Sequence, residues 1–209
     1  MTSAEYRGGA PILGEGLALD LMNTYHAVRG KPAEGLGSPD DATAWVQQLA
    51  ERLARAGAPA ATAAHLADVE LDTLLTLRDA VRSIAGSLVS AEVPDQHDVD
   101  AVNQAAARSP RWASLAWAHD GAASAAQTAA PPVDQVLGTL AADAINLFTG
   151  TDAARLRLCE RPGCVLFFLK DHPRREWCTP ACGARVRAAR AYAKRSGRRD
   201  SVSSATSVR

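Results

Sequence analysis

The stretch CERPGCVLFFLKDHPRREWCTPACGAR, residues 159–185, contains every cysteine of this 209-residue chain. Cys159 and Cys164 form a Cys-x4-Cys pair, and Cys178 and Cys182 form a Cys-x3-Cys pair. Each pair fits a tight turn that directs two thiolates at one metal ion, and tetrahedral zinc is bound by two such pairs. The spacing therefore predicts one structural Zn²⁺ with four cysteine ligands and no open coordination position.

Two other uses of four cysteines stay open at this stage, an iron–sulfur cluster and a redox disulfide pair. The first residues, MTSAEYRGGAPILG, lack the layout of a secretory signal, and no apolar run approaches the roughly 18 residues that span a bilayer. We therefore expect a cytoplasmic protein, in which thiols stay reduced and no membrane is bound. His172 is a candidate to replace one sulfur, but we expect a solvated turn histidine.

The residues around the cysteines predict a small α+β zinc finger with a strand–turn–helix order. VLFFL reads as a short strand, and RLRLC upstream offers its partner. Thr179 is a good N-cap and Pro180 a good first residue, so a helix is expected from there to about Arg195. Such a short segment has little core, and zinc would supply roughly 10–16 kcal/mol of folding free energy.

The remaining chain predicts a mainly α fold with one small β-hairpin. We divide the whole chain into a helical domain over 1–150, the finger over 151–196 and a disordered tail over 197–209. The expected helices run from about Glu15 to Val28, from Ser38 to Gly57, after Pro59, from Pro94 to about Arg108, and from 131 to Gly150. The inward face of the long third helix would contain Leu66, Val69, Leu74, Leu77, Val81, Ile84 and Leu88. RWASLAWA (111–118) and SAAQTA (124–129) would form the hairpin.

The formal net charge of zero hides a strong asymmetry. Residues 155–209 contain 14 Lys and Arg against 4 Asp and Glu, a charge of +10, so the rest of the chain carries −10. A basic end of this strength is a candidate for a polyanionic partner. The alternative is that the two parts of the chain attract each other.

The expected finger helix has a basic face. Arg187, Arg190 and Lys194 recur at helical spacing, while Val186, Ala189 and Ala193 would pack on the strand and Tyr192 would be buried. A helix fits the major groove of DNA, and arginines bind phosphates and guanine edges. The predicted nucleic-acid-binding residues are Arg174, Arg175, Arg185, Arg187, Arg190 and Lys194. The alternative is a zinc-stabilised protein-interaction module that docks on an acidic surface; RNA is a lesser alternative.

LRLCERPGCVLFFLKDHPRREWCTPACGARVRAARAYAKR resembles the CGNR-type zinc finger, and GLALDLMNT is similar to the hallmark of the ABATE domain that usually precedes it. Together the two matches span about Pro11 to Arg195. The resemblance implies a mostly helical domain of bacterial stress-induced transcription regulators, zinc on the four cysteines, and a basic recognition element that contains Arg185. Ala184 stands where the family has the Asn of its name.

LALDLMNTYH places Asp20, Asn23 and Thr24 on an otherwise apolar helix. These residues would either line a pocket for a small-molecule effector or form a buried polar network. The sequence has no GxSxG, HExxH or phosphate-loop motif, so we expect no enzymatic activity. We also consider a homodimer, which no sequence pattern supports.

Overall fold

A computed structural model describes residues 5–7, 9–110, 113–117, 119, 121–127 and 130–205. Its α-helices are α1 (Leu17–Met22), α2 (Pro39–Gln48), α3 (Ala50–Ala56), α4 (Asp68–Ser90), α5 (Gln96–Ala107), α6 (Pro132–Thr149) and α7 (Pro180–Ala205). Its strands form four antiparallel pairs: β1 (Glu5–Arg7) with β2 (Ala10–Ile12), β3 (Tyr25–Val28) with β4 (Lys31–Glu34), β5 (Ala113–Trp117) with β6 (Ala123–Gln127), and β7 (Leu156–Leu158) with β8 (Phe167–Leu169). Within the described ranges, no helix combines the length and apolar composition needed to cross a bilayer.

The third helix, expected directly after Pro59, begins only at Asp68, and a single 3₁₀ turn at Ala61–Ala63 lies between them. The predicted start of α2 and end of α3 agree with the structure. The Ser38 Oγ caps α2 by accepting a hydrogen bond from the Asp41 N–H at 3.2 Å, and Pro39 is the first helical residue. Gly57, with φ of 123°, ends α3. One helix was expected over this region, but Leu49 separates α2 from α3.

The core of the first domain surrounds α1, every residue of which is buried. Helices α4 and α6 both pack against it. The predicted inward face of the third helix is confirmed at Leu74, Leu77, Val81 and Ile84. Leu66 is also buried, although it precedes the helix, and Leu71 belongs to the same buried face. It is wrong at Val69 and Leu88, which are 68% and 37% exposed. These two residues lie in the first and last turns of α4.

The expected helix from Glu15 to Val28 is wrong in its second half. The structure ends α1 at Met22 and continues as β3, which pairs with β4, a strand that the sequence did not predict. Arg29 and Gly30 form the two-residue turn, with φ of 52° and 81°. Positive φ at both central residues is typical of the type I′ turns that join hairpin strands. An arginine in this position concealed the turn in the sequence.

The hairpin predicted near residues 111–129 is confirmed. Strand β5 pairs with β6 in a register that places Ala113 opposite Gln127 and Trp117 opposite Ala123. Residues 111, 112, 118, 128 and 129 of the predicted segments lie outside the described residues.

Strand β8 joins the finger to the helical domain. Because successive side chains of a strand point to opposite faces, Phe167 and Leu169 enter the main core, whereas Phe168 packs in a second, smaller cluster with the cysteines. All three residues are buried. The finger is therefore fixed on the helical domain by its own central strand.

Polar contacts reinforce this junction. The Asn23 amide donates to the carbonyl of Phe167 and accepts from its N–H, both at 2.9 Å, as a neighbouring strand would. The guanidinium of Arg82, on α4, donates to the carbonyl of Val165 at 3.1 Å and lies over the rings of Tyr25 and Phe167. Desolvation by burial lowers the pKa of Arg82, and the carbonyl oxygens around it compensate part of that cost.

Helix α7 is longer than predicted. It begins at Pro180 as expected but continues to Ala205, ten residues beyond the expected end near Arg195. Residues 197–205 of the segment that we expected to be disordered are therefore helical, while 206–209 lie outside the described residues. The part of α7 up to Arg195 is rich in alanine and arginine, which favour helix, and Gly197 alone does not stop the helix.

Replacement of Asn23 by alanine is predicted to destabilise the protein by about 2–4 kcal/mol, because it leaves a buried N–H and a buried carbonyl of Phe167 without partners. Chemical denaturation of the zinc-loaded protein measures the change. Asn103→Ala, at an exposed position of α5, is the control and should alter stability little. Equal stability of the two variants would contradict the role assigned to Asn23.

Candidate metal centre and basic helix

The first cysteine pair lies in the turn between β7 and β8. The Cys159 N–H donates to the carbonyl of Leu166 at 2.9 Å, and the Cys164 N–H donates to the carbonyl of Arg161 at 2.8 Å. Gly163 has a φ of 74°, a left-handed conformation that suits glycine. A Cβ at Gly163 would also lie only 3.0 Å from the Cα of Gly30. The turn that contains Cys159 and Cys164 therefore packs closely on the β3–β4 turn.

The second cysteine pair lies at the start of α7. Cys178 precedes the helix and Cys182 is in its first turn, where the Cys182 N–H donates to the Thr179 Oγ1 at 3.3 Å. Thr179 thus caps the helix as the sequence predicts. The partial positive charge of a helix N-terminus favours thiolates at this position.

The four sulfur atoms fit one tetrahedral metal ion. All four lie within 4.8 Å of one another. Three pairs are separated by 3.8 Å (Cys164 to Cys178), 3.5 Å (Cys178 to Cys182) and 3.9 Å (Cys182 to Cys164). A tetrahedron with Zn–S bonds of about 2.3 Å has sulfur–sulfur edges of about 3.8 Å. The cysteines are therefore positioned to bind one structural Zn²⁺, as predicted.

The thiols affect one another's ionisation. A hydrogen bond with Cys159 lowers the pKa of Cys164 to about 6 and also lowers the pKa of Cys182. Conversely, a hydrogen bond with Cys164 raises the pKa of Cys159, and one with Cys159 raises that of Cys178. Thiolates so close to one another repel, and a divalent cation allows all four to be deprotonated together.

Arg161 is a charged neighbour of the cluster that the sequence analysis did not identify. Burial lowers its pKa, but the nearby thiolates of Cys182 and Cys164 outweigh burial, so its pKa is raised. Four thiolates and one Zn²⁺ carry a net charge of −2, which the guanidinium partly balances. The position of Arg161 between Cys159 and Cys164 could have indicated this role from the sequence.

Arg175 does not belong to an exposed basic surface. Its side chain is 15% exposed, forms an ion pair with Glu15 and donates to the carbonyls of Leu169 (3.0 Å) and Cys178 (2.8 Å). Its guanidinium also lies 4.8 Å from the centre of the Phe168 ring. The assignment of Arg175 to nucleic-acid binding is therefore replaced by a structural role, which ties the turn before α7 to Glu15 and to Cys178.

The other predicted basic residues lie on the surface of the finger. The exposed residues are Arg174, Arg185, Arg187, Arg190 and Lys194. None of them forms an ion pair with a side chain that the structure describes. The expected packing of α7 on the strand is wrong beyond its first turns: Ala189 and Ala193 are exposed, and Tyr192 is 70% exposed. The helix therefore leaves the body of the protein with basic residues around it.

The hydrogen bonds of Asp20, Asn23 and Thr24 favour the buried polar alternative over a ligand pocket. All three are fully buried. Asp20 accepts from the N–H groups of Leu13 (2.8 Å) and Gly14 (3.0 Å) and pairs with Arg52, although burial still raises its pKa. Thr24 donates to the carbonyl of Leu21 at 2.8 Å. The side chains are thus used in holding α1 to its neighbours.

Two smaller expectations concern the margins of the centre. His172 is exposed, and its Nδ1 accepts from the Arg174 N–H at 3.1 Å, so it serves the turn and not the cluster. Ala184, which replaces the family's Asn, is also exposed. The smaller alanine side chain therefore leaves no buried gap beside the metal centre.

Comparison with known families covers nearly the whole chain. The model of the ABATE family, described as "Putative stress-induced transcription regulator", matches residues 15–151, which is more than half of the chain. The model of the CGNR zinc finger matches residues 155–195. No curated protein matches. The two resemblances seen in the sequence are therefore confirmed.

Replacement of Cys182 by alanine is predicted to abolish stoichiometric zinc binding and to unfold the finger, because three thiolates do not close the tetrahedral site. Elemental analysis gives the zinc content, and circular dichroism gives the loss of helix. His172→Ala should retain zinc, since His172 lies outside the cluster. Retention of one zinc per chain by Cys182→Ala would contradict the four-cysteine site.

Two adjacent arginines are predicted to behave differently. Arg175→Ala should reduce stability by about 3 kcal/mol, because it leaves the largely buried Glu15 carboxylate without its ion-pair partner. Arg174→Ala should leave stability nearly unchanged, because its side chain is exposed. Denaturant unfolding of the two variants compares them, and equal losses would contradict this division of roles.

Proposed function

We propose that this chain, which belongs to the ABATE family and contains a CGNR zinc finger, binds DNA through the basic helix of the finger. The proposal is a regulatory DNA-binding protein without enzymatic activity. One observation carries it: a zinc-anchored helix leaves the protein body with several arginines that have no partner among the described side chains.

The geometry of the finger supports this proposal. Cys178 and Cys182 fix the start of α7 at the metal centre, while Arg185, Arg187 and Arg190 follow within three turns. A helix of this kind fits the major groove, where arginine contacts phosphates and guanine edges. The exposed Arg174 lies in the adjacent turn and extends the basic surface.

The first domain holds the finger and so affects the orientation of its helix. Strand β8, Asn23 and Arg82 attach the finger to the helical core, so the orientation of α7 depends on the fold of the first domain. A small-molecule effector or a stress signal that acts on the first domain would alter DNA binding through this junction. The effector and a homodimer stay predictions.

Binding of duplex DNA is predicted to depend steeply on salt. Fluorescence anisotropy with a labelled mixed-sequence duplex, at about 50 and about 200 mM salt, measures it. If Arg174, Arg185, Arg187, Arg190 and Lys194 all neutralise phosphates, the slope of log K against log salt is about −4.5. Arg190→Ala should weaken binding and reduce the slope by about 1.

The matched control is Arg55→Ala. Arg55 is an exposed arginine on α3 in the first domain, paired with Glu51 only at 3.9 Å, and its removal changes the net charge equally. It should leave DNA affinity nearly unchanged. Failure of the zinc-loaded protein to bind duplex DNA at the lower salt concentration would contradict the proposal and favour an acidic protein surface as the partner.

A further inference from the structure

A cleft lies beside the basic helix and is not required for major-groove binding. It has a volume of about 460 Å³ and lies between the turn 171–177 and the first two turns of α7. Trp177, Pro180 and Gly183 contribute to its wall, and Arg174 and Arg187 border it. Its volume falls in the range of about 300–1,000 Å³ that is typical of small-ligand sites.

The aromatic ring and one guanidinium meet at Gly183. A Cβ at this glycine would lie 2.9 Å from the Cε3 of Trp177 and 3.1 Å from the Nη1 of Arg187. A glycine at this position therefore lets a flat aromatic surface and a cation approach each other at one end of the cleft.

The cleft has cationic groups to offer a ligand. Arg174 and Arg187 are exposed and form no ion pair with a described side chain. Arg175 also borders the cleft but is committed to Glu15, and Asp171 lies 3.4 Å from Arg175. Glu176 borders the cleft as well, so Arg174 and Arg187 are the guanidinium groups of the lining that can hold an anion.

We propose that this cleft binds one nucleotide, with the base against Trp177 and the phosphate on Arg174 and Arg187. A planar base uses an aromatic wall, as in single-stranded nucleic-acid sites. A phosphate uses the paired N–H groups of guanidinium better than a neutral ligand would. The nucleotide comes either from solution or from an unpaired position in a nucleic acid; only the second source rests on the proposed DNA-binding function.

Two binding measurements on the zinc-loaded full chain distinguish the sources. Isothermal titration calorimetry with AMP, GMP, CMP and TMP tests free nucleotides. Fluorescence anisotropy compares a fully paired duplex with the same duplex that contains one unpaired nucleotide. If the unpaired nucleotide enters the cleft, the second duplex binds about tenfold more tightly. Binding of a free nucleotide, or this preference, supports the proposal.

Gly183→Ala is the most informative variant, because it fills the end of the cleft without removing a charge. It should abolish nucleotide binding, or the preference for the unpaired nucleotide, while affinity for the paired duplex is retained. Arg190→Ala, outside the cleft, should do the reverse. Zinc content and circular dichroism confirm that each variant is folded.

If Gly183→Ala fails to bind zinc, Arg174→Ala replaces it, since that side chain is exposed and should be lost without unfolding. It should weaken nucleotide binding about tenfold. The proposal is overturned if no free nucleotide binds and both duplexes bind equally, or if the folded variants retain the full effect. If the unmodified protein binds a free nucleotide but neither duplex, the proposed DNA-binding function is contradicted and the nucleotide site is not.

Discussion

The mutual approach of four sulfur atoms is the constraint on which the rest of the finger depends. Cys159 and Cys164 come from the β7–β8 turn, Cys178 and Cys182 from the start of α7, and all four sulfurs lie within 4.8 Å of one another. Four thiolates in so small a space repel unless a cation binds them. A metal ion bound there would hold the β7–β8 turn against the start of the basic helix.

The metal centre is continuous with the helical domain through β8. Phe168 packs beside the cysteines, and Phe167 on the other face packs in the main core. Asn23 binds the backbone of the same strand, and Glu15 accepts from the Leu169 N–H at 2.8 Å. Residues near the start of the chain thus hold a strand more than 140 residues away. This arrangement gives the first domain a physical route by which to influence α7.

The sequence predicted the parts that depend on local rules. Cysteine spacing predicted the metal centre, and capping residues such as Ser38 and Thr179 predicted helix starts. The β3–β4 hairpin was missed because its turn contains Arg29 at positive φ, which sequence rarely indicates. The roles of Arg175 and Tyr192 were wrong because they depend on tertiary position: Arg175 meets Glu15 across 160 residues, and α7 leaves the body before Tyr192.

X-ray absorption at the zinc edge of the purified protein is the most direct test of the four-sulfur site. We expect one zinc per chain with a first coordination shell of four sulfur atoms at about 2.3 Å and no nitrogen or oxygen ligand. A shell that contains nitrogen or oxygen, or fewer than four sulfurs, would contradict a centre built from Cys159, Cys164, Cys178 and Cys182. Protein that binds no zinc would contradict it as well.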